Sequence, residues 1–256
     1  MGKIVFFDID GTLLDHDKKL PLSTKKALWE LKNNGVYVAI ATGRAPFMFE
    51  DLREELEIDS FVSFNGQYVV FENRVIYENP LNHKELGRFL DESKHNSHPL
   101  VFENEKGMRA SVKHHPYIET SMGSLKFPHP EEDSAYFIGK KIHQAMIFCE
   151  EGEENFYIEK YPHFEFVRWH PFSLDVMPKG GSKAEGIKKM IEQLSFDLKD
   201  VYAFGDGLND IEMLKAVGTG VAMGNGVPEV KKHANLITTD VAEKGIWNGL
   251  KELNLI

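Results

Sequence analysis

Short apolar runs recur along the chain, and most stop at a turn residue, an acid or a hydroxyl. Ile4–Ile9 reads as a fully buried strand, short and closed by turn residues. Ser23 suits the N-cap of a helix running through Leu31, and Asn33-Asn34-Gly35 stops it. Val36–Ala41 is a second buried strand, ending at Thr42-Gly43-Arg44, with a helix predicted from about Pro46. Phe61–Phe64 is a third strand, closed by Asn65-Gly66, and Tyr68–Phe71 with Val75–Tyr77 reads as a hairpin. The last third repeats this grammar. Lys183–Leu194 has helical spacing, Val201–Phe204 is a buried strand and Ile211–Val217 a short helix. Gly220–Met223 and Leu236–Thr238 are further strands, and Ile246–Leu250 a terminal helix.

The middle of the chain breaks the alternation. Gln144–Cys149, Glu165–Trp169 and Ser173–Met177 follow one another as mixed strands, the pattern of an α+β unit on an antiparallel sheet. The expected fold is therefore α/β: a Rossmann-like, doubly wound parallel-sheet core from residues 1–80 and 181–256, with an inserted α+β domain from 81 to 180. Pro80, Pro178, Gly180 and Gly181 mark the two junctions.

A net charge of −10 argues against broad binding to nucleic acid or an anionic membrane, yet leaves room for a small anion held by a local positive group. Cys149 is the single cysteine, so no intrachain disulfide forms, which fits a reducing cytoplasm. The apolar run after Lys3 stops at Asp8, too short for a secretory signal core, and no stretch is long enough to span a bilayer.

Asp8 and Asp10 end the first strand, and residues two apart in an extended chain share a side. Two carboxylates there need a cation, or a proton on one of them. Magnesium suits the first solution and a general acid is the second. An ordinary Asp-Gly turn is the plain alternative. Gly205-Asp206-Gly207-Leu208-Asn209-Asp210 closes another apolar strand, so that Asp206 can complete an oxygen-rich metal site with Asp8. Asn209 and Asp210 also suit helix capping. Thr42-Gly43-Arg44 offers a hydroxyl and a backbone N–H before a helix, a small phosphate cradle or a plain βα loop. Lys183 lies at a helix start, where the dipole favours negative charge; a bound phosphate would account for it.

These pieces, in this order, resemble the haloacid dehalogenase superfamily of phosphotransferases. Asp8-Ile9-Asp10-Gly11-Thr12 matches its first motif, Thr42-Gly43-Arg44 the second, Lys183 the third and Gly205–Asp210 the fourth. The insert between the second and third looks like the type II (C2B) cap of the Cof-like subfamily. The resemblance implies a phosphatase working through an aspartyl phosphate: Asp8 as nucleophile and Asp10 as acid and then base. It implies magnesium held by the Asp8 and Asp206 carboxylates and the Asp10 backbone carbonyl. The phosphoryl group would rest on Thr42, the Gly43 and Ile9 N–H groups, Lys183 and Asn209, with Arg44 and Asp210 supporting them. A small phosphorylated metabolite, such as a phosphosugar, is the implied substrate, selected by the cap. A phosphosugar mutase of the same superfamily is the alternative reading; a receiver-like signalling module fits less well, because it has no use for Asp10.

Other features read as structural. His83, His95, His98, His114 and His115 match no closed zinc site and, with no nearby cysteine, read as surface groups. The glycines at 218, 220 and 224 read as loop glycines, and Phe164, Phe166 and Trp169 as insert core. His170 and Asp175 face the substrate or close the insert sheet, and Glu150–Glu154 reads as a solvated helix start.

Overall fold

The structure, a computed structural model, describes residues 2–256. The chain opens with β1 (Ile4–Phe7), α1 (Leu22–Asn33), β2 (Tyr37–Ala41), α2 (Glu50–Leu56), β3 (Phe61–Ser63), β4 (Tyr68–Phe71) and β5 (Arg74–Glu78). It continues with α3 (His83–His95), β6 (Leu100–Asn104), β7 (Gly107–Ala110), α4 (Pro116–Ser124), β8 (Gln144–Phe148), α5 (Asn155–Lys160), β9 (Phe164–His170) and β10 (Ser173–Pro178). The last part holds α6 (Lys183–Leu194), β11 (Val201–Gly205), α7 (Ile211–Ala216), β12 (Thr219–Ala222), α8 (Pro228–His233), β13 (Leu236–Ile237) and α9 (Gly245–Glu252). Two compact units result. One contains the residues up to Arg44, Phe49–Tyr77 and Ser182–Ile256; the other contains Ala45–Met48 and Glu78–Gly181.

The first unit is an α/β sheet in the order β13-β12-β11-β1-β2-β3-β4-β5. Its strands from β13 through β3 are parallel. β4 runs antiparallel to β3, so the hairpin extends an otherwise parallel sheet. β1 and β11 are continuous apolar runs because helices cover both faces. Ile4, Phe6, Ala39, Val62 and Ala203 pack against Ile187 and Met190 of α6 and Met213 and Leu214 of α7. Phe7 stacks on Phe204 with ring centroids 5.1 Å apart. Each of the larger buried side chains here, the valine, isoleucine, leucine, methionine and phenylalanine, contributes roughly 1.5–3 kcal/mol of hydrophobic stabilisation. The chain leaves β1 first toward β2 and β3, and later returns to build β11 and β12 on the other side. That reversal makes a crevice at the carboxyl ends of β1 and β11, where open α/β sheets bind ligands.

Two helix starts differ from the sequence reading. α1 begins at Leu22 after Pro21, without a side-chain cap, so Ser23 lies one residue inside the helix and not at its N-cap. Proline fixes its own φ near −65°, and Pro21 accepts the first helical bond, from the Lys25 N–H. The helix expected from Pro46 is a single 3₁₀ turn, Pro46–Phe49, and α2 starts only at Glu50.

The second unit is an α+β fold on an antiparallel sheet in the order β7-β6-β8-β10-β9. One face buries Leu100, Phe102, Ile147 and Val176 against Phe89 of α3 and Tyr157 of α5. Phe164 belongs to this core, with Phe166 packed on it, as the sequence predicts. The other face packs Val101, Met146 and Phe148 against Ile118 and Met122 of α4, with Met48 and Trp169 alongside. His170 lies against α4, its Nδ1 2.9 Å from the Ser121 hydroxyl. Asp175 is buried on β10. Glu154 pairs with Arg168 at 2.7 Å, and the helix it precedes starts at Asn155. The expectation for the histidines needs correcting at His98. Its ring nitrogen, the Cys149 sulfur and a Glu153 oxygen lie within 4.8 Å of one another, because strand pairing brings together residues far apart in sequence.

Candidate active site

β1, β11 and β2 deliver the acids and hydroxyl to one edge. Phe7 pairs with Phe204 on one side and Ile40 on the other, so Asp8, Asp206 and Thr42 follow at neighbouring strand ends. The Asp8 N–H donates to the Phe204 carbonyl at 3.0 Å, and the Thr42 N–H to the Val62 carbonyl at 2.8 Å. Lys183 enters from the first turn of α6. Gly66, at φ +95°, sits so close to that helix that a Cβ would lie 2.0 Å from the Ser182 carbonyl oxygen. Only glycine allows this approach, and the approach fixes where the lysine emerges.

Lys183 is 1% exposed and its Nζ donates to Asp8 Oδ1 at 2.5 Å and to Asp210 Oδ1 at 2.7 Å. The other oxygen of Asp210 accepts the N–H groups of Asp206 and Gly207, both at 2.9 Å. Asp210 therefore ties the lysine to the loop that carries Asp206. Asp10 is gripped separately: Arg44 donates to both its oxygens, at 2.9 and 2.7 Å, and Lys18 to Oδ1 at 2.5 Å. The two acids that end β1 thus meet different cations: Asp10 is bound by Arg44 and Lys18, and Asp8 by a lysine that it shares with Asp210. Burial would raise the Asp10 pKa, but Arg44 and Lys18 outweigh it and hold the carboxyl below its ordinary range. Burial pushes Asp8 up to about 7 in spite of Lys183, with Asp210 adding to the rise. Burial and Asp210 likewise push Asp206 up to about 6. Burial would lower Lys183, but Asp210 and Asp8 reverse this and raise it.

The family model described as haloacid dehalogenase-like hydrolase matches residues 5–250. The chain belongs to the haloacid dehalogenase-like hydrolases. It is 53% identical over 255 residues to the Bacillus subtilis (strain 168) protein named "Putative phosphatase YkrA", covering 100% of this chain and 99% of that one. Another relative is the 5-amino-6-(5-phospho-D-ribitylamino)uracil phosphatase YcsE of the same organism, 32% identical, with 97% of this chain and 94% of that one covered. Among solved structures, a hypothetical protein from Geobacillus kaustophilus HTA426 matches at 61% identity with a TM-score of 0.96, each chain covered completely. The subclass IIB sugar phosphatase BT4131 matches at 30% identity and a TM-score of 0.86, with 99% of this chain and 100% of that one covered.

For this hydrolase, the donor set fits a hard divalent cation. One carboxylate oxygen each of Asp8, Asp206 and Asp210 lies within 4.8 Å of the others. Asp210 spends both oxygens on Lys183 and backbone N–H groups. Asp8 gives one oxygen to Lys183, and among the described residues the Asp206 oxygens accept long contacts from Thr12 at 3.4 Å and Asn225 at 3.3 Å. Burial, and then the neighbouring acids, disfavour the charged forms of Asp8 and Asp206, and a magnesium ion would offset both effects.

Other expected residues have plainer positions. Ile9 is buried, and its carbonyl accepts the Leu14 N–H at 2.8 Å. The Thr42 hydroxyl accepts the Arg44 N–H at 3.1 Å. Gly43 lies against the Asn65 amide, where a Cβ would come within 3.0 Å. Asn209 is exposed in the turn Leu208–Asp210. Lys183, expected at the phosphoryl group, donates to the Asp8 and Asp210 carboxylates. Sequence reasoning missed Lys18 and Asn225. Asn225 donates to the Gly11 carbonyl at 2.8 Å and to Asp206, and accepts the Val241 N–H at 2.9 Å. Its signal was the Gly224-Asn225-Gly226 turn after another strand end, of which the sequence reading takes only Gly224, as a loop glycine. Lys18 carried no signal, being one of two lysines in a polar loop.

Proposed function

We propose that this phosphatase is magnesium-dependent and releases phosphate from a small phosphorylated metabolite through an aspartyl phosphate on Asp8. The observation that carries the reading is the convergence of Asp8, Asp206, Asp210 and Lys183 at the carboxyl ends of β1 and β11. The Asp8 and Asp206 carboxylates and the Asp10 backbone carbonyl would hold magnesium, whose charge offsets that of the phosphoryl oxygens and the acids.

Lys183 fixes one oxygen of Asp8 and leaves the other to attack phosphorus. A bond forms from Asp8 to phosphorus, the ester bond breaks, and Asp10 gives the leaving oxygen a proton. In the second half Asp10 takes a proton from water, which attacks phosphorus and frees Asp8. Ionised Asp10 is ready for that second role. For the first it must take up a proton, so its grip by Arg44 and Lys18 has to loosen when the ester binds. Thr42, Gly43, the Ile9 N–H and Asn209 are assigned to the phosphoryl oxygens. Residues 81–180 are assigned to substrate choice, as a cap domain.

The test is phosphate release over a panel of phosphosugars, nucleotides and cofactor phosphates, with magnesium and with chelator. Release that needs the metal and is lost in Asp8→Asn is the expected result. Transfer within a sugar without free phosphate would point to a mutase, and no turnover of any ester would overturn the reading.

A further inference from the structure

The second unit buries acids that the proposed chemistry does not use. Register and side-chain alternation place Val101 and Glu103 of β6, Gln144 and Met146 of β8, Ser173 and Asp175 of β10 and Glu165 and Val167 of β9 on one face of its sheet. The helix α4 packs on the Val101 and Met146 part of that face. Glu103, Gln144 and Asp175 lie in the same region, 1%, 3% and 9% exposed. Gln144 donates to Glu103 Oε2 at 3.2 Å. The other oxygen, Oε1, is buried with no hydrogen-bond partner.

An orphaned carboxylate oxygen in a native core is costly, and one beside a second buried acid more so. Burial, and then the Asp175 charge, push Glu103 up to about 8. None of the strand positions on this face carries lysine or arginine. Glu165, the third acid on it, accepts the Gly180 N–H at 3.2 Å. A face that buries an unpartnered acceptor beside a second acid, with no lysine or arginine at its strand positions, is complementary to a ligand that brings both donors and positive charge.

We propose that Glu103, Gln144 and Asp175 form a binding site for a small organic cation, a primary ammonium group. The ammonium gives Glu103 Oε1 its missing donor and lies in the field of Asp175. On binding, Glu103 gives up its proton to solvent, because a carboxylate facing an ammonium is held ionised. A neutral hydroxyl in the same place would donate a hydrogen bond without displacing that proton. The amine belongs either to the organic part of the phosphate ester or to a separate effector.

Calorimetry on the full chain at pH 6.5 tests this with glucosamine against glucose, which differ by an ammonium for a hydroxyl. Glucosamine should bind at least about tenfold more tightly, the scale of one charge-assisted hydrogen bond. Its apparent enthalpy should vary with buffer ionisation enthalpy as release of close to one proton requires. Glu103→Gln, nearly isosteric, should lose both the preference and the proton release; Asp175→Asn should lose most of the preference. Circular dichroism of both variants checks that they fold. No glucosamine binding, equal or tighter glucose binding, or a preference untouched by Glu103→Gln would each overturn the site. The source is read separately. A higher kcat/KM for glucosamine 6-phosphate than for glucose 6-phosphate places the amine on the substrate. A change in aryl phosphate hydrolysis caused by free glucosamine places it on an effector.

Discussion

Asp8→Asn takes one negative charge from a site where three acids share a single buried lysine. The side chain keeps its shape, and its oxygen still accepts from Lys183. In the folded chain the Asp8 carboxyl titrates near 7 instead of its ordinary 3.8, roughly 3 units higher. At about 1.4 kcal/mol per unit, keeping Asp8 ionised costs the metal-free fold about 4 kcal/mol above pH 7. The sign follows from proton binding. Below the unfolded value Asp8 is protonated in both states, and its substitution changes little. Between about 4 and 7 the folded state holds the proton that the unfolded state has lost, so wild-type stability falls as pH rises. Above 7 the penalty is complete. With about 2–4 °C of melting temperature per kcal/mol in a chain of this size, metal-free Asp8→Asn should melt roughly 10 °C higher than wild type at pH 8. The gap should close toward pH 4. Melting curves in chelator across that range, with phosphate release measured alongside, provide the assay. A gap that is constant with pH, or a variant less stable at pH 8, would refute the electrostatic reasoning, and turnover near wild type would remove Asp8 as nucleophile.

Magnesium should stabilise wild type more at pH 8 than at pH 5, because Asp8 and Asp206 must shed protons to receive it; melting shifts with and without the metal show this. Lys183→Met should destabilise the fold by roughly 3–5 kcal/mol, since it leaves two buried carboxylates without their cation, and denaturant titration measures the loss. Asp10→Asn should lower turnover by roughly 10²–10⁴ while magnesium binding survives, and esters with good leaving groups should lose less in phosphoenzyme formation. Gly11→Ala should cripple the site outright: φ is +77° there and a Cβ would lie 2.2 Å from Asp206 Oδ2, so magnesium affinity measured by calorimetry should fall with activity.

Strand ends were legible in the sequence because β1, β2 and β11 are buried on both faces and end abruptly in Asp8, Thr42 and Asp206. Periodicity and turn chemistry carry that information locally. What each charged group touches is not local. That Lys183 bridges Asp8 and Asp210, and that Arg44 and Lys18 both hold Asp10, depends on contacts between segments 8 to 175 residues apart. The sequence therefore named the acids and missed how their charges are divided. Asn225 was hidden for the same reason, since a single amide in a glycine turn shows nothing of its three partners. In the insert, alternation exposed the strands, while the meeting of His98 with Cys149 needed the sheet order.

The central place of β1 has a consequence for biosynthesis. Its neighbours are β2, made almost at once, and β11, which begins at Val201. Until the ribosome has delivered β11, one edge of the Ile-Val-Phe-Phe strand has no partner, and an open apolar edge is a template for pairing with other nascent chains. A polypeptide that stops early cannot close the sheet, nor gather Lys183, Asp206 and Asp210 around Asp8. Under the proposed mechanism catalytic competence waits for the segment from Lys183 to Asp210, and a product truncated before it should betray itself by clumping, without ever hydrolysing anything.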